Sequence, residues 1–270
     1  MRGMFTCGVI DVLMENGIRF DAAAGISAGA VFGCNYKSRQ IGRPIRYNKA
    51  YCKDPRYCSI RSLIRTGDLY GADFCYREIP DVLDPFDRET FRDDPMDFYV
   101  GATDIMTGEC VYHKCTDGGH EDLEWMRASA SMPVASKPVG IGGKLYLDGG
   151  ISDSIPFAFM EKTGYDRNVI VLTQPKGYVK HKTSVLMKIA LRKYPAAAAA
   201  MMRRHLMYNR QIEEIEQREQ KGTAFVIRPA GPVGTGRIEK DPAKLERAYR
   251  MGREEALARL PALREFLGTE

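Results

Sequence analysis

Between residues 3 and 16, apolar positions recur at intervals of three and four, with Met4, Phe5, Val9, Ile10, Val12 and Leu13 among them. That spacing predicts a helix, and Gly17 supplies its stop. Residues 18–24 form a short apolar run that predicts a strand. The run enters Gly25-Ile26-Ser27-Ala28-Gly29, and a helix of small residues is expected from Ala28 to about Tyr36. Residues 37–95 are polar and rich in Tyr and Arg, with short helices punctuated by proline; a cap beside the strand–turn–helix unit is one role for them.

Farther along, 98–103 and 110–113 read as strands around a Thr107-Gly108 turn. Residues 122–131 read as a helix stopped at Met132-Pro133, and 145–147 as a short strand entering Asp148-Gly149-Gly150. A helix at 157–162 and a buried-type strand at 168–173 follow. Such alternation predicts an α/β sandwich with a largely parallel sheet. No internal repeat is visible. Beyond Pro175 the pattern turns helical: 185–191 and 196–219, separated by Pro195, then a strand at 223–228. A long helix spans 241–267, capped by Asp241 with Pro242 at its first position. The expected division is a first domain over 1–175 and an extension over 176–270.

Composition narrows the class. The chain has 270 residues, 44% hydrophobic and 28% charged, which is ordinary for a soluble globular protein. No apolar run approaches the roughly 20 residues that span a bilayer. Asp11 and Glu15 interrupt the first apolar stretch, so no signal-peptide layout is expected. Seven scattered cysteines suggest reduced thiols and a cytoplasmic location. Cys110, His113, Cys115 and His120 lie close in sequence, but their spacing matches no common zinc pattern, and no metal is expected. The net charge of +5 has one source: residues 176–210 hold nine Lys/Arg and no Asp/Glu, which leaves the remainder at −4. That segment reads either as core-packed helices with a solvated basic face or as a peripheral membrane contact. Aromatics are too sparse there to suggest nucleic acid.

Gly25-x-Ser27-x-Gly29 between a strand and a helix reads either as a nucleophile turn or as a small-residue helix start with an incidental serine; the first reading has consequences that can be checked. It predicts a strained Ser27, and it predicts that any side chain at Gly25 or Gly29 would collide with its neighbours. Amides at the start of the following helix would face developing negative charge. Only 26 residues precede Ser27, too few for the usual α/β-hydrolase order. None of His113, His120, His181 and His205 sits in an evident catalytic setting. Asp148 does, at the C-terminal end of a strand, although Asp-Gly is also a common turn pair. A Ser-Asp-His arrangement recruiting His181 or His205 remains an alternative. The glycine-rich stretch 231–237 lacks a following Lys-Ser/Thr and is expected to be a flexible loop.

Gly25-Ile26-Ser27-Ala28-Gly29, followed about 120 residues later by Asp148-Gly149-Gly150, resembles the patatin-like phospholipase family. The resemblance covers most of 1–175, and the tail is similar to that of bacterial members. It implies a three-layer α/β/α sandwich and a Ser-Asp dyad, with Ser27 as nucleophile and Asp148 as base. Arg2-Gly3-Met4-Phe5 resembles the end of the family's Gly-Gly-Gly-x-Arg-Gly motif, which implies an oxyanion hole at Arg2, Gly3 and Ala28. The strand and glycines that open the family's pattern would lie before Met1. Exposed sheet edges are therefore expected, in a chain whose start lies upstream or in a truncated form. The implied activity is hydrolysis of lipid esters, of phospholipase A or lysophospholipase type, without a cofactor. The second reading is a non-catalytic lipid- or acyl-binding protein. The expected partners are a lipid ester and a membrane surface touched through 176–210; oligomeric state is not legible.

Overall fold

In a computed structural model of the chain, residues 1–236 and 238–269 are described. Arg237, the last residue of the predicted 231–237 loop, lies outside the described residues. Helix α1 (Gly3–Glu15) is buried nearly all round, from Gly3 to Leu13 with only Thr6 half-buried, and Gly17 at φ +69° turns the chain out of it. Strand β1 (Ala22–Ile26) begins later than predicted, because its ladder starts only where Ala22 pairs with Asp97. Ile18 is buried before that point, in the connection rather than in the sheet. Helix α2 (Ala28–Lys37) follows at once.

The polar segment then holds α3 (Arg43–Tyr51), α4 (Ile60–Thr66), a π-helix (Phe74–Leu83) and α5 (Arg88–Asp93). Pro80 lies inside the π-helix, where it has no backbone N–H to donate. A short series of strands comes next: β2 (Asp97–Asp104), β3 (Cys110–Cys115), α6 (His120–Ser129), β4 (Val139–Ile141) and β5 (Lys144–Asp148). A 3-10 turn at Gly149–Ile151 leads to α7 (Phe157–Lys162) and β6 (Asn168–Val171). The tail comprises α8 (Val185–Ala190), α9 (Pro195–Gln220), β7 (Ala224–Ile227) and α10 (Pro242–Leu267).

The α/β class and the helical C-terminal segment are as expected, but the sheet is mixed rather than largely parallel. Its order is β1-β2-β5-β4, with β3 also on β2, and only the β1–β2 pairing is parallel. The reason is local. β2 and β3 are joined across Thr107-Gly108, and β4 and β5 across Gly142 (φ +55°) and Gly143 (φ +78°), and tight turns can only join antiparallel neighbours. β6 and β7 form a separate parallel pair. The edge of β1 away from β2 carries no strand among the described residues, and β1 and β6 both line one cavity.

The C-terminal segment shares the main core. α10 lies across α1, so Leu245, Ala248, Ala256 and Leu263 join Phe5, Val9 and Val12 in one buried cluster. Two glycines permit the crossing. An added Cβ would stand 2.0 Å from Tyr249 O at Gly8 and 1.9 Å from Phe5 O at Gly252. Beside the crossing, Asp11 is fully buried. Its Oδ2 accepts hydrogen bonds from Gly42 N–H (3.0 Å) and Tyr249 O–H (2.7 Å), while Oδ1 has no partner. Burial pushes the Asp11 carboxyl up to about 6, against the lowering effect of those two donors. The folded state therefore binds this proton more tightly than the unfolded chain. The resulting stability is fully present below the unfolded carboxylate value and is lost as pH rises through about 6. Denaturation at pH 5 and pH 8 should show Asp11→Asn gaining on the wild type by about 1–1.5 kcal/mol at the higher pH. A gap that stays constant between the two pH values would show that charge burial at Asp11 is not what separates them.

Candidate active site

The pair Ser27 and Asp148 is built by two strands that share one edge of β2. β3 runs along positions 98–103 on the opposite edge. On the near edge, β1 runs parallel to β2 and ends with Ile26 beside Gly101. β5 arrives antiparallel and ends with Asp148 beside Ala102. The C-terminal ends of the two strands thus meet head to head. Ser27 Oγ donates a 2.7 Å hydrogen bond to Asp148 Oδ2 across the junction.

Each residue is held from its own side. Ser27 has φ 53° and ψ −116°, a conformation that L-residues avoid and that costs roughly 1–3 kcal/mol. Its N–H donates to Ser129 Oγ (2.9 Å), a buried hydroxyl at the end of α6. Asp148 is 5% exposed, and its N–H donates to Ser131 O (2.8 Å) in the same segment. Its second carboxylate oxygen accepts from Gly150 N–H (2.8 Å), and its carbonyl accepts from Thr103 Oγ1 (2.8 Å). One helix end therefore anchors both halves of the pair. Ser129, Ser131 and Thr103 escaped the sequence reading. The signal for Ser129 and Ser131 is the small-residue run Ala128-Ser129-Ala130-Ser131 before Met132-Pro133; Thr103, inside β2, gives none.

The motif glycines divide into two kinds. A Cβ on Gly25 would sit 2.4 Å from Gly29 O, and one on Gly149 would sit 2.2 Å from Gly101 O. Both positions are closed to any side chain. Gly29 corrects the sequence expectation: a Cβ there meets nothing within 4 Å, because the residue faces the open cavity rather than a neighbouring element. At Gly150 a Cβ would stand 3.0 Å from both Asp148 Oδ1 and Arg204 Nη2.

The three positions expected to form an oxyanion hole lie together. Gly3 packs on the start of α2, where its Cβ would be 2.8 Å from that of Ala28. Arg2, Gly3, Ser27, Ala28 and Gly29 all line the same cavity. The first backbone bonds into α2 are donated by Ala30 and Val31 to Ser27 O, so the Ala28 and Gly29 amides precede them. In α1, Met4 and Phe5 donate back to Met1 O and Arg2 O, which places the Arg2 and Gly3 amides ahead of the ladder as well. Two helix N-termini thus open on one space beside the Ser27 hydroxyl.

That space is a cavity of about 620 Å³, with apolar walls that include Phe20, Ile26, Leu123, Met126 and Met201. Among the described residues no histidine lines it. His113 Nε2 is 2.7 Å from Asp122 Oδ1 and its ring stacks on Trp125, while His120 reaches Asp81. His181 is exposed, and His205 Nδ1 is buried without a partner. The Cys/His group does not converge as a set. His113, Cys115 and Asp122 bring ligand atoms within 4.8 Å of one another, without Cys110 or His120. Asp122 Oδ2 already accepts from the N–H groups of Thr116, Asp117 and Gly118, which gives it a loop-closing role. Burial holds the Cys115 thiol well above its usual value and pushes Cys110 up to about 12, so neither is a thiolate near neutrality.

Residues 194–268 match a family described as "Domain of unknown function (DUF6363)". An uncharacterized NTE family protein of Mycobacterium tuberculosis is 26% identical over 170 residues, which is 63% of this chain and 45% of that protein. The uncharacterized protein YjjU of Escherichia coli is 30% identical over 183 residues, covering 64% of this chain and 49% of its own length. A lysophospholipase nte1 of Aspergillus niger is 24% identical over 275 residues, 93% of this chain but 17% of that protein. The matched region is under half of each of these relatives. Residues 1–160, which carry the Ser27 turn, Asp148 and both helix N-termini, match the family "Patatin-like phospholipase", and the chain belongs to it.

Proposed function

We propose that the protein is a serine acyl hydrolase of lipid esters, of phospholipase A or lysophospholipase type, working through Ser27 and Asp148. The observation that carries this reading is the 2.7 Å hydrogen bond from Ser27 Oγ to Asp148 Oδ2 at the wall of a largely apolar cavity. Ser27 Oγ attacks the ester carbonyl carbon while Asp148 takes the hydroxyl proton. The carbonyl oxygen becomes an oxyanion, and amides at the starts of α1 and α2 are the donors available to it. The C–O bond to the alcohol breaks as Asp148 returns the proton to the leaving oxygen. Water, deprotonated by Asp148, then attacks the acyl-serine, and Ser27 leaves with the proton regained. The substrate's apolar chain would lie against the cavity walls.

A fluorophosphonate probe tests this directly. It should add its phosphonyl group to the peptide containing Ser27 and leave Ser27→Ala unlabelled. Labelling elsewhere, or none on the folded protein, would overturn the reading.

Contact with a membrane through residues 176–210 belongs to the same proposal. α8 buries no residue, and Val185, Leu186 and Ile189 are each more than half exposed. Lys182, Lys188, Arg192 and Lys193 surround them and are exposed too, while Met187 of the same helix lines the cavity. Among the described residues no helix is long and apolar enough to cross a membrane, so the contact proposed is interfacial. Co-sedimentation with phosphatidylglycerol vesicles should fall about tenfold in Leu186→Glu and should weaken in high salt. Equal pelleting of variant and wild type would remove α8 from the contact.

A further inference from the structure

We propose that the C-terminal segment builds an anion subsite beside the reacting pair, formed by Lys180 and Arg204 together with Arg2, which selects lipids whose phosphate headgroup is net anionic. This deepens, and rests on, the acyl-hydrolase reading of the same cavity. Helix α9 presents Met201, Arg204 and Tyr208 to the cavity at spacings of three and four, so they share one helix face. Arg204 Nη2 and Asp148 Oδ1 both lie 3.0 Å from where a Gly150 Cβ would be, which places the guanidinium over the Asp148-Gly149-Gly150 turn. Its Nε is 3.5 Å from Ser154 Oγ. Gly150 leaves room for that approach.

Lys180 is fixed beside it. The Lys180 backbone exchanges two hydrogen bonds with the Asn209 side chain, N–H to Oδ1 at 2.8 Å and Nδ2 to O at 3.1 Å. Its ammonium lies 4.3 Å from the centre of the Tyr208 ring and 5.9 Å from that of Tyr178. Arg2, just before α1, lines the same cavity. Asp148 brings a carboxylate to the same wall, beside the Arg204 guanidinium. A glycerophospholipid carries its phosphate on the same glycerol as the scissile ester. With the ester at Ser27, the phosphate enters the cavity that these cations line, and they suit its oxygens.

The tyrosines explain the choice of headgroup. Tyr178 and Tyr208 stand edge to face at 6.1 Å, a corner that could hold a quaternary ammonium against aromatic faces. Lys180 already occupies that corner. A choline group would therefore meet a cation where it needs a ring, whereas glycerol or a bare phosphate brings no such conflict.

The test is binding to the full-length Ser27→Ala protein, so it reads out whether or not the wild type turns over. Lysophosphatidylglycerol and lysophosphatidylcholine of one acyl chain are compared below their micellar concentrations, with glycerol 3-phosphate as a headgroup without a tail. The anionic lipid should bind about tenfold more tightly than the choline lipid. Adding Lys180→Met or Arg204→Met should each erase most of that preference, and Arg204→Lys should restore part of it. Equal affinity for the two lipids overturns the proposal, as does an equal loss for both in the Met variants. Glycerol 3-phosphate bound without any preference between the lipids would mark a site for free phosphate, and that also overturns it. Thermal melting of each variant shows that the fold is retained. Failure here leaves the fluorophosphonate result untouched, and the reverse also holds.

Discussion

Asp148→Asn is expected to lower ester hydrolysis by about 10³–10⁴-fold while leaving the protein folded. The amide has the shape of the carboxylate and can still accept from Gly150 N–H, so the Asp148-Gly149-Gly150 turn keeps its hydrogen bond. It cannot take up the Ser27 proton, and among the described residues no histidine lines the cavity to do so instead. Ser27→Ala should be at least as severe, because it removes the attacking atom itself. The double variant should be no worse than Ser27→Ala, since the two side chains act as one unit. Turnover by Asp148→Asn within tenfold of the wild type would end the case for a two-residue mechanism. The comparison needs a melting curve for each variant. Ser27→Ala also removes a residue held at positive φ, but alanine at that strained position relieves none of the backbone cost.

Gly252→Ala should be the most damaging single methyl in the molecule for stability, at about 3 kcal/mol or more. The new carbon would lie 1.9 Å from Phe5 O and 2.8 Å from Phe5 C, both backbone atoms of α1. No side-chain rotation can absorb that overlap. The two helices must separate by more than an ångström, which strips packing from Phe5, Leu245 and Ala248 along the whole crossing. α1 also carries Gly3 onto Ala28, so activity should fall at temperatures where the variant is still folded. Gly231→Ala is the matched control: a Cβ there meets nothing within 4 Å, and its stability should stay within about 0.5 kcal/mol of the wild type. Similar midpoints for the two variants in urea would mean that α10 does not lie against α1 as described.

How much was legible in the sequence depends on the range over which each feature is decided. The Ser27 turn, the Gly17 stop, the Asp241 cap and the long tail helices follow from residues a few positions apart, and they stand close to where the pattern puts them. Sheet direction does not. The Gly142-Gly143 hairpin was a local signal left unread, and it reverses β5 and so makes the sheet mixed. The role of Gly29 was misjudged because the motif tells which residues are small but not which of them faces a void. Ser129 and the α1–α10 crossing depend on contacts between residues more than 100 positions apart, which no window along the chain can show.

Strand β2 acts as a ruler for the chemistry. Gly101 and Ala102, consecutive on one backbone, set the separation between the ends of the strands that carry Ser27 and Asp148. The segment between α2 and β2, with its short helices and π-turn, takes no part in that measurement. Loops there can lengthen, shorten or change composition without drawing the two oxygens apart. On the function proposed above, the cavity walls that this segment supplies are free to drift while the Ser27–Asp148 geometry stays fixed.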